Sequence, residues 1–582
     1  MFRHLFKTTK FVSFFILFIN IILGLTVPVN ILIIKKIIDA VMNTNNYNVH
    51  NEYFYLVILL FLQLVTTFIN EIYKFLKVYL NNSIEVNFGT EIFSKCLNMK
   101  YEYFEKSNTY PIIDRIISTY KENIGNIVDI ISSILKTTIS ILGVFYIIYQ
   151  IQWWILIVLI ITALPVWIFS IISTLKERNT YMEIYPHYLR SKYFSKVINS
   201  REYIKEARFY NYHKYINKLW LNSLREFQKG QLLSNFKPRY IAGLFIILQY
   251  IVVTVVIFMM LLPLSNKFIT IGSFIAIAQA MWTFVGRFQY DIINIIQKIN
   301  HLRVFIKDYK AFIEYDDINN KHCELVNSKN SFNTITFDDV WFRYNENEEY
   351  ILKGVNLTIP CNKLVALVGE NGSGKTTIIK LLLGLLYPTK GNISVDDIPL
   401  SSISAIQRKR LLSVVFQDFV KYNITLRESV GISNLDSIKN DKRIVEILSG
   451  INNYSELTKN LDNRLDTRLG KDINNGVDLS GGQWQSIAIA RALFSDAECI
   501  IMDEPTASLD PIAEVEVYNQ LVKATKNKAA IFVTHRLGST KLADIIYTLE
   551  NGKIVESGSH EQLMKEGGFY AEMFNAQKKW YK

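Results

Sequence analysis

Apolar residues crowd the first half of the chain in runs long enough to cross a bilayer. In the second half they give way to short apolar runs that alternate with glycine-rich and charged stretches. A helix needs about 20 apolar residues to span the hydrocarbon core. Six stretches qualify: 11–34, 53–73, 128–151, 153–174, 240–264 and 271–296. The fourth opens on Trp153 and Trp154, side chains suited to a membrane interface. Arg3, Lys7 and Lys10 precede the first run, but that run is too long for a cleaved signal, no small-residue cleavage pattern follows, and further spans come after it. Residues 74–127 and 175–239 keep apolar positions at helical spacing among their charges, which predicts helices that continue beyond the bilayer. Each pair is expected to bend at a short segment, Tyr103-Phe104-Glu105-Lys106 with Pro111, and Phe209-Tyr210-Asn211-Tyr212. Such a tip could dock on another domain or be a solvated turn.

The net charge is +12, and much of the positive charge sits in two places. One carries Lys176, Arg178, Arg190, Lys192, Lys196, Arg201, Lys205, Arg208, Lys214 and Lys218; the other carries Lys77, Lys95, Lys100, Lys106, Arg115 and Lys121. The links near Gln150 and Asn266 carry almost none. Cytoplasmic loops show this bias, so both stretches, both termini and the C-terminal half are expected in the cytosol. Orientation and nearby anionic lipid then account for the basic balance. No nucleic-acid-reading motif accompanies it, and no nucleic acid partner is expected. Cys96, Cys323, Cys361 and Cys499 form no C-x-x-C pair, so neither a disulfide framework nor a zinc site is read. Cys499 is expected to be a small core residue.

Polar residues in or near the spans are Gln63, Asn70, Glu71, Gln249, Gln279, Arg287, Gln289 and Asp291. Such groups face a cavity or one another. Glu71, Arg287 and Asp291 lie near the inner ends, where reaching water is the simpler expectation. Phe274, Trp282, Phe284, Phe288 and Tyr290 of the sixth span are expected to pack.

From Ile335 onward strand-like and helical runs alternate, the α/β pattern. The strand Leu364–Val368 feeds GENGSGKTT at 369–377, and a helix follows from Ile378. This is a P-loop in its strand–loop–helix context. Gly369, Gly372 and Gly374 let the backbone wrap closely around phosphates, with Asn371, Ser373 and Thr377 completing the loop, and the helix N-terminus adds positive dipole. Lys375 neutralises the β- and γ-phosphates, and Thr376 offers a hydroxyl to Mg²⁺. ECIIMDE at 498–504 is a buried strand ending in two carboxylates. Asp503 is placed to hold Mg²⁺, and Glu504 to act on the attacking water as base or orienter. LSGGQ at 479–483 precedes a helix from Trp484 to Phe494. Ser480 is a good N-cap, and Gly481 and Gly482, followed by Gln483, permit close approach at the helix N-terminus. Two phosphate sites in one domain make sense if each nucleotide is gripped by two domains, so a dimer is expected.

The order of P-loop, LSGGQ, hydrophobic strand with DE, and a lone histidine resembles the ABC ATPase family, most specifically over 335–575. The six spans ahead of it resemble the exporter-type membrane domain. The fold class is therefore an α-helical membrane domain of six transmembrane helices (1–310), a linker (311–334), and an α/β P-loop ABC ATPase domain (335–582). The resemblance implies that Tyr344 stacks on adenine and that Gln417 links Mg²⁺ to the membrane domain. It likewise implies that Ser508-Leu509-Asp510 forms the D-loop and that His535 contacts the γ-phosphate. It implies ATP and Mg²⁺ as cofactors and head-to-tail closure of two domains, each ATP lying between one P-loop and the partner's Ser480–Gln483 segment. The tips near Phe104 and Phe209 would be coupling helices, closure would open the cavity outward, and hydrolysis would reset it. Because Lys375, Ser480, Gly482, Glu504 and His535 are all present, a homodimer is expected. Lys471 and Asp472 stand where many exporters carry a glutamate, so that contact to the partner's coupling helix is not carried over.

The expectation is thus ATP-driven export across the bacterial cytoplasmic membrane. VVFQDFVKYNITLRESV and SGGQWQ are similar to exporters of bacterial peptides, including lantibiotic-type bacteriocins. A peptide is the expected cargo, with amphipathic drug or lipid efflux as the alternative. The first span begins near residue 11, so a peptide's leader is expected to be removed by another protein. An ATP-gated channel or regulator is the alternative of a different class: it would equilibrate a solute that a pump accumulates.

Overall fold

The computed structural model describes residues 10–42, 49–106, 108–318, 332–451, 464–471, 476–504, 522, 528–534 and 537–580. They divide into two compact units, Met1–Leu97 with Ser107–Tyr315, and Asn98–Lys106 with Asp316–Lys582.

The first unit is built from helices α1 (Lys10–Met42), α2 (Val49–Asn98), α4 (Tyr110–Ile151), α5 (Trp154–Asn199), α6 (Arg201–Phe209), α7 (His213–Met259), α8 (Leu261–Ser265), α9 (Ile271–Thr283) and α10 (Gln289–Glu314). A single π-helical turn, Phe284–Phe288, joins α9 to α10. Among the described residues six helical segments are long and apolar enough to cross a membrane: Lys10–Met42, Tyr53–Asn98, Tyr110–Ile151, Trp154–Lys176, Tyr240–Ser265 and Ile271–Glu314. At 1.5 Å per residue α2 is roughly 75 Å long, far beyond a ~30 Å hydrocarbon layer, so the charged stretches after the spans are continuations of the same helices. The breaks fall at the expected places, in the four-residue helix α3 (Glu102–Glu105) and the turn at 210–212 after α6. α10 runs through the first four residues of the expected linker.

The core of this unit is made by Val27, Ile31, Val144, Ile147, Leu159, Val253, Ala280, Met281 and Phe284. Pro28 has no N–H to give the carbonyl of Gly24 one turn earlier. Ser140 Oγ of α4 donates to that carbonyl at 2.8 Å instead. Gly143 lets the proline ring seat, since a Cβ there would lie 2.5 Å from Pro28 Cγ. Glu71 pairs with Lys74 in the open, as expected. Gln249 and Gln289 are buried and bonded to each other. Phe284 and Phe288 are fully buried, but Trp282 and Tyr290 are more than half exposed, so the sixth span's aromatics do not all pack inward.

Among the described residues the second unit holds two sheets. Strands β1 (Thr334–Phe342), β2 (Leu352–Pro360), β4 (Lys390–Val395) and β5 (Ile398–Pro399) form an antiparallel sheet in the order β2-β1-β4-β5. A six-stranded sheet has the order β10-β9-β3-β8-β7-β6. Its strands are β3 (Leu364–Gly369), β6 (Leu412–Val415), β7 (Cys499–Asp503), β8 (Ala529–Val533), β9 (Ile545–Glu550) and β10 (Lys553–Gly558). All neighbours are parallel except β10 with β9. β3, β7 and β8 are buried throughout and carry continuous apolar runs, as parallel strands covered on both faces do. Cys499 sits in that core, where burial pushes its thiol up to about 12.

The two faces of this sheet receive different helices. Val365, Leu367, Ile501, Ile531 and Val533 pack with Ile378, Ile379, Leu381 and Leu382 of α11 (Lys375–Leu382). The alternate residues Leu364, Ile500, Met502, Ala530 and Phe532 pack with Trp484, Ile487 and Ala488 of the helix Gly481–Phe494. Successive strand residues point to opposite sides, so these two helices cover opposite faces.

Candidate nucleotide site

Parallel register sets the site. Leu367 of β3 and Asp503 of β7 both lie beside Val533 of β8, so the three strands end at one edge of the sheet. Ligands of open α/β sheets bind at such carboxyl ends. β3 runs directly into the loop, which turns back at Gly369 and enters α11 through Gly374. Gly369 passes so close to the next strand that a Cβ would sit 2.2 Å from the Leu549 carbonyl oxygen. Gly374 caps α11 with φ 108, and a Cβ there would meet Leu352 at 2.6 Å. Only glycine takes both conditions. Asn371, Gly372 and Thr376 face outward, while Ser373, Lys375 and Thr377 are buried.

Lys375 Nζ donates to the carbonyl oxygens of Gly369 (2.9 Å) and Glu370 (2.7 Å). Burial lowers its pKa, while the nearby carboxylates of Glu504 and Asp503 work the other way. Asp503 is almost fully buried. Desolvation, and next the Glu504 charge, push its carboxyl up to about 6, against Thr376 and Lys375. A buried acid raised in this way suits a site that receives a cation. Glu504 follows at φ 50, a backbone state rare outside glycine, and its N–H donates to Val533 O at 2.9 Å. Gln417, just after β6, donates from Nε2 to Glu504 Oε2 at 2.7 Å. Gly369, Ser373, Lys375, Thr376, Gln417, Asp503 and Glu504 thus form one cluster. Asp510 and His535, with Ser508 and Leu509, lie outside the described residues.

Ser480 caps the helix Gly481–Phe494: its Oγ accepts from Gln483 N at 3.2 Å, and Gln483 Oε1 accepts from Ser480 N at 2.9 Å. This reciprocal box fixes the helix start and leaves the N–H groups of Gly481 and Gly482 at an exposed helix terminus. Among the described residues no hydrogen bond joins 480–483 to the 369–377 loop. Lys471 pairs with Asp478 at 2.8 Å, and Asp472 lies outside the described residues.

Tyr344 packs partly buried against the core, edge-on to Phe342 at 5.1 Å. Sequence reasoning missed its neighbour Lys380. Lys380 Nζ lies 2.5 Å from Glu105 Oε1 of α3, 5.6 Å over the ring of Tyr101 and 5.8 Å over that of Tyr344. Glu105 and Tyr101 belong to the Asn98–Lys106 segment, which groups with this unit and is tied to it by Ile318 N donating to Asn98 O at 2.7 Å.

Comparison with known proteins matches both halves. Residues 13–288 match the family model for the ABC transporter transmembrane region, and residues 352–507 match that for the ABC transporter. The chain is 26% identical to the nisin transport ATP-binding protein NisT of Lactococcus lactis subsp. lactis, covering 98% of this chain and 94% of that one. It is 27% identical to the subtilin transport ATP-binding protein SpaT of Bacillus subtilis, covering 95% and 90%. An ATP-dependent lipid A-core flippase of Bordetella avium is 26% identical over 86% of this chain and 84% of its own. In fold, the chain is similar to a bacterial Atm1-family ABC exporter with ATP bound, with TM-score 0.78, 19% identity and 98% of both chains covered.

Proposed function

The chain belongs to the ABC transporter family as an exporter-type half-transporter that hydrolyses ATP, and we propose that it works as a homodimer whose cargo is a peptide. The observation that carries the dimer is the placement of the two anion-binding helix starts. α11 begins at the P-loop on one face of the parallel sheet, and the Ser480-capped helix lies on the other. A single nucleotide held by Lys375 would meet the Ser480–Gln483 terminus of a second copy. In this reading Gly369, Asn371, Gly372, Ser373, Gly374, Lys375, Thr376 and Thr377 hold the phosphates, Tyr344 stacks on adenine, and Asp510 and His535 complete the site.

The donor set fits Mg²⁺: the Thr376 hydroxyl, the Gln417 amide and the buried Asp503 carboxyl are hard oxygen ligands. Bound there, the ion would neutralise phosphate charge. Glu504 would orient and deprotonate water, and Lys375 would shift its donors from its own loop carbonyls to phosphate oxygens. The excess of Lys and Arg on the long extensions supports a cytosolic ATPase domain at the bacterial cytoplasmic membrane.

The peptide reading is supported by the near full-length likeness to the nisin and subtilin transport proteins. A lipid cargo is the second reading, favoured by the flippase relative. The test is uptake by inside-out vesicles containing the purified protein. ATP-dependent accumulation of a peptide against its gradient is expected. Equilibration without accumulation, or movement of labelled lipid alone, would overturn it.

A further inference from the structure

We infer that a polar cavity inside the helical unit binds an acidic group of the cargo, a carboxylate of a peptide. This rests on the export reading above and specifies what the exporter grips. The cavity has a volume of about 580 Å³ and is lined by groups from α1, α2, α4 and the last span, among them Asn30, Asn70, Lys136, Gln279, Trp282 and Arg287. Lys136 lies 15 residues before the end of α4, and Arg287 lies 16 residues after the start of α9. At 1.5 Å per residue both sit roughly 22–24 Å from the ends at the short links, inside a ~30 Å hydrocarbon layer. Arg287 is exposed, as expected of a group near the inner end, and it also lines this cavity.

Three independent features point to a ligand. First, neither Lys136 nor Arg287 has an ion pair or hydrogen-bonded partner among the described residues. Asp291, one turn beyond Arg287, interacts with both electrostatically but is not part of the lining, and it leaves one positive charge uncompensated. A charge at membrane depth demands a partner or a watery path. Second, Asn30 Oδ1 and Gln279 Oε1 are buried and lack donors. Two cationic donors beside two orphaned carbonyl acceptors match a carboxylate flanked by peptide N–H groups. A phosphodiester, which has no O–H, would satisfy the cations and leave the acceptors unmet. Third, the π-helical turn Phe284–Phe288 buries Phe284 and Phe288 while setting Gly286 and Arg287 on the cavity wall. Such turns concentrate at functional sites.

The test uses the full chain in nanodiscs of zwitterionic lipid. The probe is a short apolar peptide carrying an uncharged dye, made once with a free C-terminal carboxylate and once as the amide. The carboxylate form is expected to bind at least about tenfold more tightly. Lys136→Gln or Arg287→Gln should bring it down to the affinity of the amide, whereas Lys136→Arg and Arg287→Lys, which keep the charge and test folding, should retain the preference. Equal affinities in the unsubstituted protein, or a preference that survives the double Gln variant, would overturn the inference. So would binding of short-chain phosphatidic acid with no binding of either peptide, which would mark a lipid phosphate as the occupant. Vesicle uptake separates this from the export reading. Equal binding with ATP-driven uptake of both peptides sinks the carboxylate site and leaves export standing. A carboxylate preference without uptake of either supports the site and removes peptide export.

Discussion

Gln417 Nε2 donates to Glu504 Oε2 at 2.7 Å, tying the residue after β6 to the carboxylate after β7. The bond holds Glu504 at the sheet edge beside Asp503, with its backbone in the left-handed region. Glu504→Gln keeps the size and the hydrogen-bonding reach of the side chain but cannot take a proton from water. It is expected to lower ATP turnover by about 10²-fold or more while ATP binding persists. Steady-state hydrolysis and nucleotide binding on the same preparation check this. Normal turnover would remove Glu504 from its assigned role.

Lys375 is held by two carbonyls of its own loop, Gly369 O and Glu370 O. Lys375→Ala deletes the cation aimed into the glycine cradle. ATP affinity is expected to fall at least about tenfold, since charge-assisted bonds to phosphate are lost. Equilibrium binding of ATP decides it, and unchanged affinity would contradict the phosphate assignment.

Asp503 carries a pH signature. Its carboxyl is raised to about 6, chiefly by burial. Between the ordinary carboxylate range and about pH 6 the folded state therefore holds more protons than the unfolded one. The stability tied to this group is full at low pH and is lost as pH rises through about 6. At pH 7, without nucleotide and with chelator present, Asp503→Asn is expected to stabilise the protein by on the order of 2 kcal/mol. It should also flatten the pH dependence over that window. Thermal melts across pH 4–8 test the sign, and a destabilised Asn variant at pH 7 would contradict it.

Lys380 and Glu105 form an ion pair in which both side chains are about three-quarters buried, beneath Tyr344 and Tyr101. In the sequence α3 lies between α2 and α4. Lys380→Glu or Glu105→Lys is expected to cut ATPase activity severalfold, with the double swap recovering most of it. Equal loss in the swap would show that the pair does not act as a pair.

The six spans were legible because each must carry about 20 apolar residues. The loop at Gly369–Thr377 was legible because its spacing follows from close backbone approach to phosphate. The pairing of Ile335 with Val395 in the antiparallel sheet was not, since short alternating strands do not name their partners. Lys380 and Glu105 are 275 residues apart, and no periodicity connects them. Lys136 could have been noticed as a lone cation in the apolar run ILKTTISIL. What it faces depends on how α4 packs against α1 and the last span. Trp282 was expected to pack because aromatic residues in a span usually do; here it borders a cavity.

In the proposed dimer each ATP is clamped by the P-loop of one protomer and the Ser480 helix of the other. The most direct measurement is ATP hydrolysis by purified mixed dimers carrying Lys375→Ala and Ser480→Ala. With the two substitutions on different protomers, one shared site stays intact, and residual hydrolysis is expected. With both on one protomer and the other unsubstituted, each shared site is damaged, and hydrolysis should be lost. The reverse pattern, activity only when one protomer is untouched, would mean that each nucleotide is handled within a single chain.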